Sequence, residues 1–159
     1  MSGSNLSGNQ KRRMKSASRL YAVQALFQME ASQLPIDVVS KEFEEHRMGA
    51  ELDGAQLEDG DIAHFNRVIA GAVNNQARID QMTDRALVAK WPIARLDPTL
   101  RALFRAAGAE FVEGDTPPKV AIVEYVDVAL AFSPDGKERG FVNAVLDHMA
   151  REARPEDFE

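Results

Sequence analysis

The sequence predicts an all-α protein of about seven helices, arranged as one domain or as two small subdomains sharing a core. Three observations predict it. Between Val120 and Phe132 only Glu124 and Asp127 are polar, and Thr116-Pro117-Pro118 precedes this apolar run. Carboxylates three residues apart share one side of a helix but lie on opposite faces of a strand. Proline is favoured in a helical first turn, where its missing N–H costs nothing. The second observation is Leu96-Asp97-Pro98-Thr99, a start signal followed by Leu100, Leu103, Phe104, Ala107 and Phe111 at i, i+3, i+4, i+7 and i+11. The third is that no segment alternates convincingly as a strand.

In chain order, the Ser/Gly/Asn-rich residues 1–10 read as a disordered tail. From Ser18 to Leu34 a helical stripe is expected through Leu20, Val23, Phe27, Ala31 and Leu34, closed by Pro35. Extended backwards, the same helix aligns Arg12, Lys15 and Arg19 along one face. A shorter helix is expected over Ile36–Arg47, and the acidic Gly49–Gly60 stretch reads as an exposed loop. Asp59 or Asp61 caps a third helix with Ile62, Phe65, Ile69, Ala72 and Val73 inward. Asn74-Asn75 breaks the chain before a helix over about Arg78–Lys90, with Ile79, Met82, Ala86 and Leu87 inward and Trp91-Pro92 as its end. Asp97 and Pro98 then start the amphipathic helix that Gly114 stops. The Lys119–Phe132 stretch reads as a helix buried nearly all round, with Glu124 and Asp127 as a narrow polar stripe. Ser133-Pro134-Asp135-Gly136 is a turn. A last helix over about Lys137–Arg151 buries Phe141, Val142, Val145, Leu146 and Met149, and residues 154–159 fray.

With 159 residues, 45% of them apolar, the chain is long enough to form a core without staples. It has no cysteine, which excludes disulfides and thiolate zinc sites and fits a cytoplasmic home. No apolar run reaches membrane-spanning length, and no signal peptide is visible. The net charge of −6 is unevenly placed: residues 1–20 hold five cations and no acid, while the remainder holds 14 basic and 25 acidic residues. A basic arm on an acidic body points to a polyanion partner, or else to a solubilising tail.

Catalysis finds little support. His46, His64 and His148 are scattered, match no metal-ligand spacing, and no G-x-S-x-G elbow or Gly-rich phosphate loop is present. Glu124 and Asp127 at i, i+3 read as an exposed stripe, and Arg101 and Arg105 as a solvated helix face. No cofactor or metal is expected.

Four segments carry a resemblance. Ala22-Val-Gln-Ala-Leu-Phe-Gln28, Leu96-Asp-Pro-Thr-Leu-Arg-Ala-Leu-Phe-Arg105, Lys119-Val-Ala-Ile-Val-Glu-Tyr-Val-Asp-Val-Ala129 and Phe141-Val-Asn-Ala-Val-Leu-Asp147 resemble, in order and spacing, the bacterial NusB transcription antitermination family. The resemblance spans about Lys15 to Arg151, within a NusB-like domain expected over residues 11–153. It implies two helical subdomains, no enzymatic activity, and binding to boxA-type RNA of nascent ribosomal transcripts. It also implies a heterodimer with NusE, a small-subunit ribosomal protein, within an antitermination complex on RNA polymerase.

The family's RNA-facing positions correspond here to Lys15 and Arg19 at the basic start of the first helix, with Arg12 and Arg13 about one turn upstream, and to Phe141 and Asn143. Cations along phosphates and a platform for splayed bases are what single-stranded RNA requires. Phe141 is equally readable as core, and Asn143 as a loop tie. The NusE-facing side implied by the resemblance brings in Phe27, Leu100 and Arg101. Val123 stands where many members carry Asn, and Ala144 replaces a common Gly. A helical protein-interaction adaptor in ribosome biogenesis, with weak or no RNA binding of its own, stays open as the alternative.

Overall fold

Ser7 starts the first helix well upstream of its buried residues, which begin at Ser18. Its hydroxyl accepts from the Gln10 amide at 3.1 Å, and the Gln10 side chain accepts from the Ser7 amide at 2.7 Å. This reciprocal capping box satisfies two otherwise unpaired donors and sets the start of α1, Gly8–Ser32. The computed structural model describes residues 6–87 and 96–159. The expected tail over residues 1–10 is therefore corrected: helix replaces it from Gly8, because the Ser7/Gln10 pair outweighs the loop-like composition.

The other helices are α2 (Ile36–His46), α3 (Ile62–Asn74), α4 (Gln76–Ala86), α5 (Pro98–Glu113), α6 (Pro118–Phe132) and α7 (Arg139–Ala153). Among the described residues this is an all-α bundle with one tiny hairpin. Asp61 caps α3 by accepting from His64 N at 3.0 Å, and Asp97 caps α5 by accepting from Thr99 N at 2.7 Å. The expected Trp91-Pro92 closure of α4 lies outside the described residues.

The hub is α5. It packs against α1, α3, α4, α6 and α7, and buries Leu100, Ala102, Leu103, Phe104, Ala106, Ala107, Ala109 and Phe111. This element thus links α1 and α3 to α4, α6 and α7. Gly108 marks a close approach of α5 to α4, since a Cβ there would collide with Ile79. The apolar helix α6 is less enclosed than its composition predicts. Ala121, Ile122, Tyr125, Val126, Val128 and Ala129 are buried, while Val120, Val123 and Phe132 are exposed.

Three further expectations change. The buried face of α1 is Ser18, Arg19, Tyr21, Ala22, Val23, Ala25 and Leu26, whereas Phe27 and Leu34 face outward. Small alanines define that face, and a stripe drawn through the largest apolar residues misses it. On α3, Val68 and His64 replace Ile62 and Val73 as buried residues. The Gly49–Gly60 loop contains β1 (Glu51–Leu52) paired antiparallel with β2 (Ala55–Gln56). Asp53 and Gly54 take φ of 51° and 80° between them, the left-handed geometry that matches strand twist in a two-residue hairpin. The hairpin is held to α1 by the Tyr21 hydroxyl, which donates to Glu58 O at 2.6 Å.

The C-terminal residues 154–159 are ordered where fraying was expected. Pro155–Phe158 form a 3-10 turn, Arg154 pairs with Asp157 at 3.0 Å, and the Arg151 guanidinium lies 4.5 Å from the Phe158 ring centroid.

Candidate nucleic-acid interface

The early start of α1 places Lys11, Arg12, Arg13 and Lys15 on more than one turn of exposed helix. Arg12 bonds the side-chain oxygen of Asn9, and Arg13 lies 3.9 Å from Glu58 with both side chains well solvated. Such an exposed pair contributes little and leaves the cations available.

Arg19 behaves differently. It is only 4% exposed, and its Nε and Nη2 donate to the two Glu110 carboxylate oxygens at 2.9 and 3.2 Å. Its Nη1 donates to Glu124 Oε1 at 2.9 Å, and Nη2 also reaches Thr116 Oγ1 at 3.3 Å. Every face of this guanidinium is occupied inside the protein. The expected phosphate contact at Arg19 is therefore corrected: the turn from Lys15 to Arg19 carries the helix beneath the surface, and the cation neutralises acids of α5 and α6.

Glu110 is the centre of this network. Burial pushes its carboxyl up, but hydrogen bonding with His64 and Arg19 and the guanidinium charge pull it further down, to about 2. The bidentate Arg19 contact is the firmer of the two. His64 Nε2 stands 3.4 Å from Glu110 Oε1 without hydrogen-bond alignment. Tyr125 donates its hydroxyl to Glu110, and burial followed by the neighbouring carboxylate holds its own pKa well above the usual phenol range. Glu124 also accepts from Ser16 Oγ at 2.6 Å, so it braces the basic turn. Of the expected polar stripe on α6, only Asp127 is exposed.

Asn143 is exposed near the start of α7, in a cavity of about 410 Å3 shared with Val123, Val126, Asp127, Arg139 and Gly140. Asp127 also lines a larger groove with Arg12 and Arg13, so α6 joins the two. Phe141 is 40% exposed and packs edge-on against Phe104, ring centroids 6.3 Å apart. Two residues apart on a helix, Phe141 and Asn143 point to different sides, the first toward α5 and the second toward α6. Asn143 thus shares Asp127 with the groove that Arg12 and Arg13 line, while Phe141 lies on another side of α7 with its ring partly exposed.

Arg139 was missed by the sequence reading. It sits one turn before Asn143, lines the same cavity and has no acidic partner among the described residues. Its i, i+4 spacing to Asn143 is the signal that could have found it.

On the expected partner face, Phe27 is exposed and lines a groove with Gln24, Gln28, Arg47, Thr99 and Phe132. Leu100 is corrected: at 8% exposure it belongs to the core, and Thr99 takes its place in the groove. Arg101 is corrected too, from solvated contact to internal clamp. It donates to both Glu30 oxygens and to Leu96 O, while Arg105 pairs with Asp80 and Glu30 at 2.9 Å each.

Among the described residues no cluster of His, Cys, Asp or Glu could hold a metal, and no helix is long and apolar enough to cross a membrane. Fold and site together define an all-α bundle with four exposed cations, Lys11, Arg12, Arg13 and Lys15, near the start of α1. The chain belongs to the NusB family, whose profile matches residues 16–151. It is 43% identical over 152 residues to the transcription antitermination protein NusB of Rhodopseudomonas palustris (strain BisB18), covering 95% of this chain and 89% of the relative. Among solved structures it resembles T. maritima NusB, with 30% identity, a TM-score of 0.70, and coverage of 90% of this chain and 95% of that one. The fold also matches the structure of antitermination factors NusB and NusE in complex with dsRNA, at 22% identity and a TM-score of 0.71, covering 88% and 98% of the two chains.

Proposed function

We infer that this chain is a non-enzymatic transcription antitermination factor that binds boxA-type RNA of ribosomal transcripts together with NusE. In this reading it works in the cytoplasm and helps modify RNA polymerase against termination. Relatives that share more than two fifths of its residues bear the name of a transcription antitermination protein, and a matching fold occurs in a complex of NusB, NusE and RNA. The observation that carries the reading is the exposed basic turn of α1, joined through Asp127 to the Asn143 cavity. Arg12, Arg13 and Lys15 supply charge to phosphates, and Asn143 offers a donor and an acceptor to a base edge.

With Arg19 sequestered, the chain presents fewer cations than the sequence suggests. NusE then supplies part of the RNA affinity, docking on the Phe27 groove. Titrating boxA and scrambled RNA with this protein, with and without NusE, tests the reading. The expected result is a boxA preference that strengthens when NusE is present. Firm NusE binding with no preference for boxA would favour a protein-interaction adaptor, a reading that the acidic body of the chain supports.

A further inference from the structure

A separate cleft of about 660 Å3 lies between α1, α3 and the α5–α6 turn. Arg12 and Lys15 of α1 form one bank, and Arg67 of α3 forms the other. None of the three has an acidic partner among the described residues, and Arg67 and Lys15 are exposed. Two acids behind them are already engaged, since Glu110 and Glu124 both accept from Arg19. Glu113 and Asp115 also line the cleft, with the Glu113 carboxylate against Gly71 of α3. In the wall, His64 is 5% exposed, and its Nε2 stands 3.4 Å from Glu110 Oε1 without hydrogen-bond alignment.

We propose that this cleft seats a backbone phosphate of single-stranded RNA, with Arg67 as the contact opposite Arg12 and Lys15. The proposal rests on the RNA-binding reading above and extends the strand's path from α1 onto α3. Cations on one bank alone make a strip along which a strand can slide. A third cation across the cleft makes a cradle, and a guanidinium fork can grip two phosphate oxygens at once.

The test uses the full chain and the variants R67A, R67K and K15A, each titrated with boxA-type and scrambled RNA over a salt series. R67A is expected to weaken both RNAs several-fold by a similar factor, and to reduce the slope of log affinity against log salt by about 0.7, one phosphate contact. R67K should restore most of that slope. Wild-type affinity and slope in R67A, with K15A losing both, would overturn the proposal while leaving the RNA reading intact. No RNA binding by the wild type, alone or with NusE, would overturn both. His64 resonances that shift with inorganic phosphate but not with RNA would assign the cleft to a free anion and overturn the RNA assignment.

Discussion

Replacing Glu110 by Gln tests the buried network most directly. The carboxyl has a pKa of about 2 in the folded protein against an ordinary 4.5. A shift of that size is worth roughly 3 kcal/mol at neutral pH, at about 1.4 kcal/mol for each pKa unit. The group is 3% exposed, so solvent screening discounts little of this. Its folded pKa is depressed, so the contribution is fully present above pH 4.5 and is lost as pH falls toward 2. Glu110→Gln should therefore cost about 3 kcal/mol in urea unfolding at pH 7, with Arg19 left as a buried charge facing a neutral amide. The gap between the variant and the wild type should narrow by about 2 kcal/mol at pH 3, where much of the wild-type advantage has gone. The double variant R19M/E110Q should recover part of the loss, because it removes the stranded charge. A pH 7 cost below about 1 kcal/mol, or a gap that stays constant from pH 7 to pH 3, would refute the assignment of Glu110 as the ionised centre.

The remaining predictions concern surfaces and packing. Changing Arg12 and Lys15 to Ala should flatten the salt dependence of RNA binding by about 0.7 per lost contact, whereas Arg19→Ala should chiefly lower the unfolding midpoint; filter binding and thermal melts separate the two. Gly108→Ala should destabilise the fold by about 1–3 kcal/mol, because the added methyl meets Ile79 where α4 and α5 approach closely; chemical denaturation measures it. Phe27→Asp should weaken NusE binding at least tenfold in calorimetry and leave RNA binding by the chain alone unchanged, since Phe27 lies outside both grooves that hold the α1 cations.

Helix existence was legible because it rests on local signals. Asp97 followed by Pro98, Asp61 ahead of α3, and the heptad-like spacing on α5 each report their own neighbourhood and need no tertiary information. Faces were less legible. In α1 the alanines at 22 and 25 pack inward while Phe27 stays out, and side-chain size alone points the other way. In α6 the uniform apolarity hides which third of the surface is left open, a choice made by where α5 and α7 pack. The start of α1 was present in the sequence as Ser7-x-x-Gln10, but a Gly- and Asn-rich setting masked it. Asp53-Gly54 was likewise a hairpin signal too short to stand out without flanking strand pattern.

Arg19 was misread for one physical reason: a cation's role depends on acids far away in sequence. Arg19 looks like Lys15 when only α1 is considered, and its burial is decided by Glu110, 91 residues on. A lone glutamate in the apolar stretch Ala106–Phe111 is itself a sign, because a buried carboxylate requires a cationic partner from another element. Once Glu110 claims Arg19, the free charge of α1 must lie upstream, at Arg12, Arg13 and Lys15. The capping box that extends the helix back to Gly8 is what makes those residues a rigid, ordered array. The same buried pair that removes one cation from the surface therefore anchors the turn from which the others project, through Glu124 and its bond to Ser16. On the RNA-binding reading, stability and nucleic-acid affinity are coupled at this point: Glu124→Gln should lower both the unfolding midpoint and the RNA affinity, read in parallel thermal melts and RNA titrations.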